Sequence, residues 1–236
     1  MTVTHYTIQA NIKKPLCVAF VSDLHDTENE PILAAIAAEQ VDAVLGGGDF
    51  IHNNTVYQRG LEFLRSAAER WPVYCTPGNH EKRFKRDIRR RIRETGAVLL
   101  DDSYQEFEGI LIGGLTSGYG DGGHDGLLEK TPPPQTGWLS EFEAQPGFKL
   151  LLSHHPEYYE PYLRTRKIDL ILSGHAHGGQ WRFFGRGVFA SGQGFFPKYT
   201  GGMYDGKMIV GRGLGNYNPI PRIFNEPELI ILRIGE

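Results

Sequence analysis

Eight side chains of metal-ligating or acid–base type fall just after five short apolar runs. Asp23 and His25 follow Leu16–Val21, and Asp49 follows Val41–Leu45. Asn79 and His80 follow Pro72–Cys75, His154 follows Phe148–Leu152, and His175 and His177 follow Ile168–Leu172. In open α/β sheets, ligands bind beyond the carboxyl ends of the strands, so residues far apart in sequence would converge in one crevice. A mixed set of carboxylates and imidazoles suits Mn²⁺, Fe²⁺/Fe³⁺ or Zn²⁺, whereas an all-oxygen set suits Mg²⁺ or Ca²⁺. The i,i+2 pairs Asp23/His25 and His175/His177 leave both side chains on one side of an extended turn. Asp23, His25, Asp49, Asn79, His154, His175 and His177 make seven candidate ligands. That is more than one ion uses and suits two ions sharing a carboxylate. Two-metal sites hold their ions roughly 3.5–4 Å apart and clamp an in-line displacement at phosphorus. Any one of these residues alone would read as a turn or cap residue; the joint pattern carries the inference.

Helical patterns separate the apolar runs. Pro31–Gln40 is Ala-rich, with Pro31 suited to a first helical turn. Thr55–Arg70 places Val56, Leu61, Phe63, Leu64 and Ala67 near a 3.6-residue period. Arg83–Glu94 reads as a third helix, stopped at Gly96, with a short strand over Ala97–Leu100. Phe107–Leu115 reads as a strand pair around Gly109, and Lys207–Gly211 and Leu229–Ile234 as the last strands. The class is α/β with a β-rich second half, expected to form one domain over residues 1–236. Thirty glycines, about 13% of the chain and near twice the usual ~7%, imply many tight turns. Gly46, Gly47, Gly48, Gly78 and Gly174 flank the candidate ligands, where backbone must approach closely.

The 236 residues are 40% hydrophobic and 22% charged, which excludes disorder and coiled coil. A net charge of −3 predicts neither nucleic-acid nor membrane binding in bulk. Cys17 and Cys75 sit in apolar runs and are expected as buried thiols on core strands. The N-terminal residues lack a basic segment followed by an apolar one, and no run approaches 18 apolar residues. The expected address is cytoplasmic, with no transmembrane segment.

The blocks Asp23-x-His25, Gly48-Asp49, Gly78-Asn79-His80-Glu81, His154-x-Pro156 and Gly174-His175-Ala176-His177 resemble, in order and spacing, the five signature blocks of the calcineurin-like metallophosphoesterases. Gly178-Gly179-Gln180, Gly211-Arg212-Gly213-Leu214-Gly215, Pro221-Arg222 and Asn225 to Glu228 are similar to a bacterial subgroup of that superfamily. Members of that subgroup often carry an N-terminal signal or anchor. None is visible here, which argues against a membrane or cell-wall role. The resemblance implies a sandwich of two mixed sheets flanked by helices, with the site at the strand ends. It implies that Asp23, His25 and His177 hold one metal, Asn79, His154 and His175 a second, and that Asp49 bridges them. The nucleophile would be a metal-bridging hydroxide. His80 would be a general acid or electrostatic stabiliser at the leaving oxygen, not a ligand. The substrate class is a phosphomonoester or phosphodiester. A nucleotide-linked lipid pyrophosphate and a non-catalytic scaffold are the alternatives, and the complete residue set disfavours the scaffold.

Other features read as follows. The family pattern selects His154 over His155 as ligand. His5 and His52 are expected at the surface or in turns. His124 lies in the Gly- and Pro-rich loop Thr116–Thr136, which helps to set specificity. Lys82–Arg93 holds eight basic residues and one acid, a net +7, with Phe84, Ile88 and Ile92 every four residues. It reads either as a solvated helix or as a site for an anionic polymer or lipid head group beside His80. Trp138, Trp181, Tyr119, Tyr199, Tyr204 and Phe195 would pack against loops, stack on a base or sugar, or shield an acyl chain.

Overall fold

The computed structural model describes residues 1–83, 87–120, 129–216 and 220–235. The first half runs β1 (Thr2–Ile8), β2 (Leu16–Val21), α1 (Glu30–Ala38), β3 (Ala43–Gly46), α2 (Gln58–Ala68) and β4 (Val73–Cys75). Two short helices, α3 (Asn79–Arg83) and α4 (Ile88–Arg93), precede β5 (Val98–Leu99), β6 (Ser103–Phe107) and β7 (Ile110–Leu115). α5 (Leu139–Ala144), β8 (Phe148–Ser153) and β9 (Leu170–Ser173) follow. Next come two small hairpins, β10 (Arg182–Phe183) with β11 (Arg186–Gly187), and β12 (Phe189–Ala190) with β13 (Gly194–Phe195). β14 (Gly202–Tyr204), β15 (Met208–Val210) and β16 (Glu228–Ile234) close the chain.

Two mixed six-stranded sheets stack face to face, in the orders β1-β16-β2-β3-β4-β5 and β14-β15-β9-β8-β7-β6. This is the sandwich flanked by helices that the resemblance implied. The strands are apolar because both faces are covered. Along β2, Ala19 and Val21 face the helix-side core with Ile32, Ile36, Phe63 and Leu64. Val18 and Phe20 face the other sheet and meet Ile112, Leu150, Leu172 and Ile209. This period-two division repeats in the second sheet, where Leu111, Leu151 and Ile171 turn outward to Phe142 and Tyr159. Each such buried side chain contributes roughly 1.5–3 kcal/mol of transfer free energy. β2, β3, β4 and β5 run parallel, as do β7, β8, β9 and β15. Their carboxyl ends therefore gather at one edge of each sheet, and the contacts described below join the two edges.

The differences from the sequence expectations are local. Of the helix expected over Arg83–Glu94, the described residues form Ile88–Arg93, and Arg83 ends the short helix that starts at Asn79; residues 84–86, with Phe84, lie outside the described residues. Ile88 and Ile92 are buried as the stripe required. The arginines of α4 face carboxylates of their own chain: Arg89 is 2.7 Å from Asp101, Arg91 is 2.6 Å from Asp87, and Arg90 pairs with Glu94. The segment is thus less cationic than its sequence. Cys75 is buried, but Cys17 is only half-buried, because its side chain turns to the partly covered margin of the helix-side core. β1 and α5 escaped the sequence reading. No helix among the described residues is long and apolar enough to cross a membrane.

Candidate metal centre

Each candidate ligand leaves its strand within a few residues. Ser22, Asp23, Leu24 and His25 continue β2, and Gly47 to Asp49 continue β3. The two turns are laced together by the Asp23 N–H donating to Gly48 O at 3.0 Å and the His25 N–H to Asp49 O at 3.1 Å. α3 begins at Asn79 itself. From the other sheet, β8 delivers His154, and the turn after β9 delivers His175 and His177. Asp23, His25, Asp49, His175 and His177 all have positive φ, between 44° and 64°. Ordinary side chains rarely adopt that backbone, and such outliers cluster at functional sites.

Asp49 is the hub. Its Oδ2 lies 3.2 Å from His154 Nε2, 3.8 Å from His80 Nε2 and 3.9 Å from His25 Nε2. On one side, His25 Nε2 is 3.0 Å from His177 Nε2, which is 3.5 Å from Asp23 Oδ1. On the other, His154 Nε2 is 3.0 Å from Asn79 Oδ1, and the His154 and His175 ring centroids are 5.0 Å apart. The backbone N–H of His175 donates to both Asp23 oxygens, at 3.0 and 3.1 Å. All eight singled-out residues thus join one cluster, and all but His177 are buried. Three triads within it present donor atoms within 4.8 Å of one another, Asp23/His25/His177, His25/Asp49/His80 and Asp23/Asp49/His154, and a fourth, His154/His155/His175, adds His155.

Protonation follows from burial and neighbours. Burial alone would raise Asp49, but the His154 and His80 rings outweigh it and hold the carboxyl well below the usual range. Burial and nearby charges keep His25, His175 and His177 well below the usual histidine value, hence neutral. Burial pushes Asp23 up to about 6, helped by Asp49 and opposed by His154. His154 rises to about 10, because the attraction of Asp49 and Asp23 exceeds the burial penalty. A proton on His154 thus neutralises the buried carboxylates when no cation does. Its Nδ1 donates to Gly47 O at 2.7 Å, so Nε2 is the atom turned into the cluster. This is the arrangement that orients a metal-binding imidazole. His175 Nε2 is buried with no hydrogen-bond partner. Neutral imidazoles, ionised Asp49 and an orphaned ring nitrogen fit a divalent cation set.

His80 is positioned differently. Its backbone N–H donates to Asp49 Oδ1 at 2.9 Å, and its Nδ1 donates to the His52 carbonyl at 2.5 Å. Burial lowers its pKa, partly offset by Asp49. His52 is therefore closer to the site than expected; its ring lies 6.1 Å from that of His25. His155 borders the cluster, its ring 4.3 Å from that of His175, with Ser117 at 2.8 Å and Glu157 at 3.2 Å; His154, not His155, is the one paired with Asp49. His5 is exposed and meets Glu39 at 2.9 Å, and His124 lies outside the described residues. Of the aromatic residues, Tyr119 and Tyr199 are buried, Tyr204 packs on Tyr199, and Trp138 packs on Phe142. Trp181 and Phe195 are exposed.

Two contributors carried no assigned role in the sequence reading. The buried Glu81 carboxylate accepts four backbone N–H bonds: from Asp49 at 2.8 Å, Phe50 at 2.9 Å, Ile51 at 3.2 Å and Gly78 at 2.9 Å. It ties the Asp49 turn to the Asn79 turn. Burial and the Asp49 charge push it up to about 7 against the pull of those donors. An acid directly after His80 was the available signal. Arg222 Nη2 lies 3.2 Å from His177 Nδ1, and its Nη1 donates to Arg212 O at 2.7 Å. Burial lowers this guanidinium to about 10, which still leaves it charged at neutral pH. Glycine is required at two approaches. A Cβ on Gly78 would lie 2.1 Å from Asp49 Oδ1, and one on Gly174 would lie 2.4 Å from Asp23 Oδ2.

Fold and cluster together define a metal-dependent phosphoesterase. The chain belongs to the calcineurin-like phosphoesterase family, whose model matches residues 17–179. It is 26% identical over 250 residues to phosphodiesterase YaeI of Escherichia coli (strain K12), covering 93% of this chain and 82% of that protein. It is 24% identical over 255 residues to an uncharacterized metallophosphoesterase of Aquifex aeolicus (strain VF5), covering 99% and 92%. Among solved structures, the phosphopantetheinyl hydrolase PptH of Mycobacterium tuberculosis shares the fold, with a TM-score of 0.50 at 14% identity over 82% of this chain and 87% of that one.

Proposed function

We propose that the chain hydrolyses phosphomonoester or phosphodiester bonds with two divalent cations, Mn²⁺, Fe²⁺/Fe³⁺ or Zn²⁺. Asp23, His25 and His177 hold one, Asn79, His154 and His175 the other, and Asp49 is shared. The observation that carries this is the placement of Asp49, whose Oδ2 faces imidazoles from three different turns. When bound, the cations polarise phosphoryl oxygens and lower the pKa of water towards neutrality. The remaining work belongs to side chains. His80 Nδ1 is fixed on the His52 carbonyl and Nε2 faces Asp49 Oδ2 at 3.8 Å, so Nε2 is the atom that would carry a proton to a leaving oxygen. Arg222 keeps a positive charge beside His177 and favours an anionic group there. Residues 1–235 act as one domain in this reading, because β1 and β16 from opposite ends of the chain pair in one sheet.

The test is metal stoichiometry with activity. Elemental analysis of the manganese-loaded protein should give two ions per chain. Asp49→Asn should lower occupancy and abolish turnover of bis(p-nitrophenyl) phosphate and p-nitrophenyl phosphate. One ion per chain, or an unchanged Asp49→Asn variant, would refute the shared-carboxylate reading.

A further inference from the structure

The turn that carries His177 leads straight into an apolar surface that neither the core nor the chemistry uses. The hairpins β10–β11 and β12–β13 are tied to each other by the Phe196 N–H donating to Val188 O at 2.8 Å. The Trp181 Nε1–H donates to Pro221 O at 3.1 Å and joins them to the segment ending in Phe224. Phe183 and Phe224 pack edge to face at 5.9 Å, and Phe189 and Phe195 at 5.3 Å. Around them Phe184 is fully exposed, Phe196 83% exposed and Phe224 79% exposed. Trp181, Val188, Phe189, Phe195 and Ile220 line an apolar slot of about 220 Å³.

Local structure does not account for these rings. Phe184, Phe196 and Phe224 have φ of 52°, 52° and 51°, a backbone region suited to Gly or Asn and costly for a bulky side chain. Turn chemistry disfavours Phe at these three positions, and of the three only Phe224, edge to face on Phe183, has a ring partner among the described residues. Large contiguous exposed apolar surface marks a binding site. Charge identifies the partner. Residues 181–224 contain six basic residues and one acid, Asp205; Arg182, Lys207, Arg212 and Arg222 bond to groups of their own chain, which leaves Arg186 and Lys198 beside the rings. Arg186, directly opposite Phe183, and Lys198, just after β13, are exposed beside the rings; Lys198 also reaches Glu160 at 2.5 Å, a surface pair worth little and readily exchanged for a phosphate. Aromatic rings above a basic rim are the chemistry of attachment to an anionic bilayer interface.

We infer that the β10–β13 hairpins, with Phe184, Phe196 and Phe224 inserted and Arg186 and Lys198 on head groups, dock this chain on anionic membranes. This departs from the expectation, drawn from the N-terminal residues, that argued against a membrane role. It stands independently of the two-metal reading.

The test is co-sedimentation of the manganese-loaded full chain with phosphatidylcholine vesicles, with and without phosphatidylglycerol. Binding should appear with the anionic vesicles and weaken as salt rises. Phe184→Asn, Phe196→Asn and Phe224→Asn suit the left-handed backbone, so folding should be kept. Each should weaken partitioning by on the order of tenfold. Arg186→Gln with Lys198→Gln should remove the preference for anionic vesicles. Hydrolysis of a small chromogenic diester should be unchanged in all variants, which separates failure of docking from failure of the site. Absence of vesicle binding, or full binding by the triple Asn variant, overturns the inference. So does a wild-type dimer in sedimentation that the triple variant dissolves, because a second copy would then cover the rings.

Discussion

Glu81→Gln is the sharpest probe of how the site is held. The carboxylate accepts from Asp49 and Gly78 through Oε2, and from Phe50 and Ile51 through Oε1. Gln keeps the shape but turns one oxygen into an N–H₂ group. Whichever way the amide settles, two backbone N–H groups then face a donor. Each buried donor left unsatisfied costs about 1–3 kcal/mol, so the substitution should destabilise by about 2–6 kcal/mol. For a chain of this size that lowers the unfolding midpoint by on the order of 10 °C. The comparison belongs at pH 8 with manganese, above the value of about 7 to which burial and Asp49 push Glu81 in the cation-free protein. Calorimetry would give the midpoint, and a metal titration should show weaker binding, because the Asp49 turn loses its anchor. A Gln variant melting within about 2 °C of wild type would refute the clip, since that shift corresponds to less than about 1 kcal/mol.

His80→Ala should keep its metals while kcat falls by on the order of 10²–10⁴, more for an alkyl than for a nitrophenyl leaving group; loss of an ion on elemental analysis would make His80 a ligand. Stripping with chelator should abolish hydrolysis and lower the melting temperature, because only the folded chain assembles the donor set. A cation must displace the proton that Asp49 and Asp23 hold on His154, whose pKa is raised to about 10. Metal affinity should therefore rise with pH, approaching tenfold per unit between pH 7 and 9, and a flat calorimetric profile would exclude that competition. Gly78→Ala should cost most of the activity, since the new methyl would lie 2.1 Å from Asp49 Oδ1. Arg90→Gln, at an exposed pair with Glu94, should change stability by less than about 0.5 kcal/mol and leave turnover unaltered.

The site was legible because each side chain sits at a strand's carboxyl end, and strands covered on both faces announce themselves as apolar runs. β2, β3, β8 and β9 were found that way. β1 was not, because an edge strand half open to solvent mixes Thr, His and Tyr with Val and Ile. The small hairpins after His177 were missed because they are two residues long and carry no alternation. The isoleucines of the basic run keep helical spacing, and both are buried on the helix Ile88–Arg93. Residue type did not show that Arg89, Arg90 and Arg91 meet carboxylates of their own chain. The role of Glu81 is not legible in the sequence, because hydrogen bonds to the backbone of Asp49 and Phe50 leave no mark in residue type.

The positive φ values of Asp23, His25, Asp49, His175 and His177 imply an evolutionary asymmetry. A non-glycine residue there costs about 1–2 kcal/mol of backbone energy, so the five together oppose folding by an amount comparable with a typical net stability of about 5–15 kcal/mol. Mutation at these positions is therefore not neutral noise. At His25, His175 and His177 a Gly would relieve that cost, whereas Asp23 and Asp49 accept from the buried His175 and His80 N–H groups and balance the charge on His154, so their loss would destabilise. A lineage released from selection for hydrolysis would drift towards glycine at positions 25, 175 and 177, and would gain robustness as it decayed. Glycines at those positions in a related chain would mark a retired enzyme whose sheets are sounder than its ancestor's.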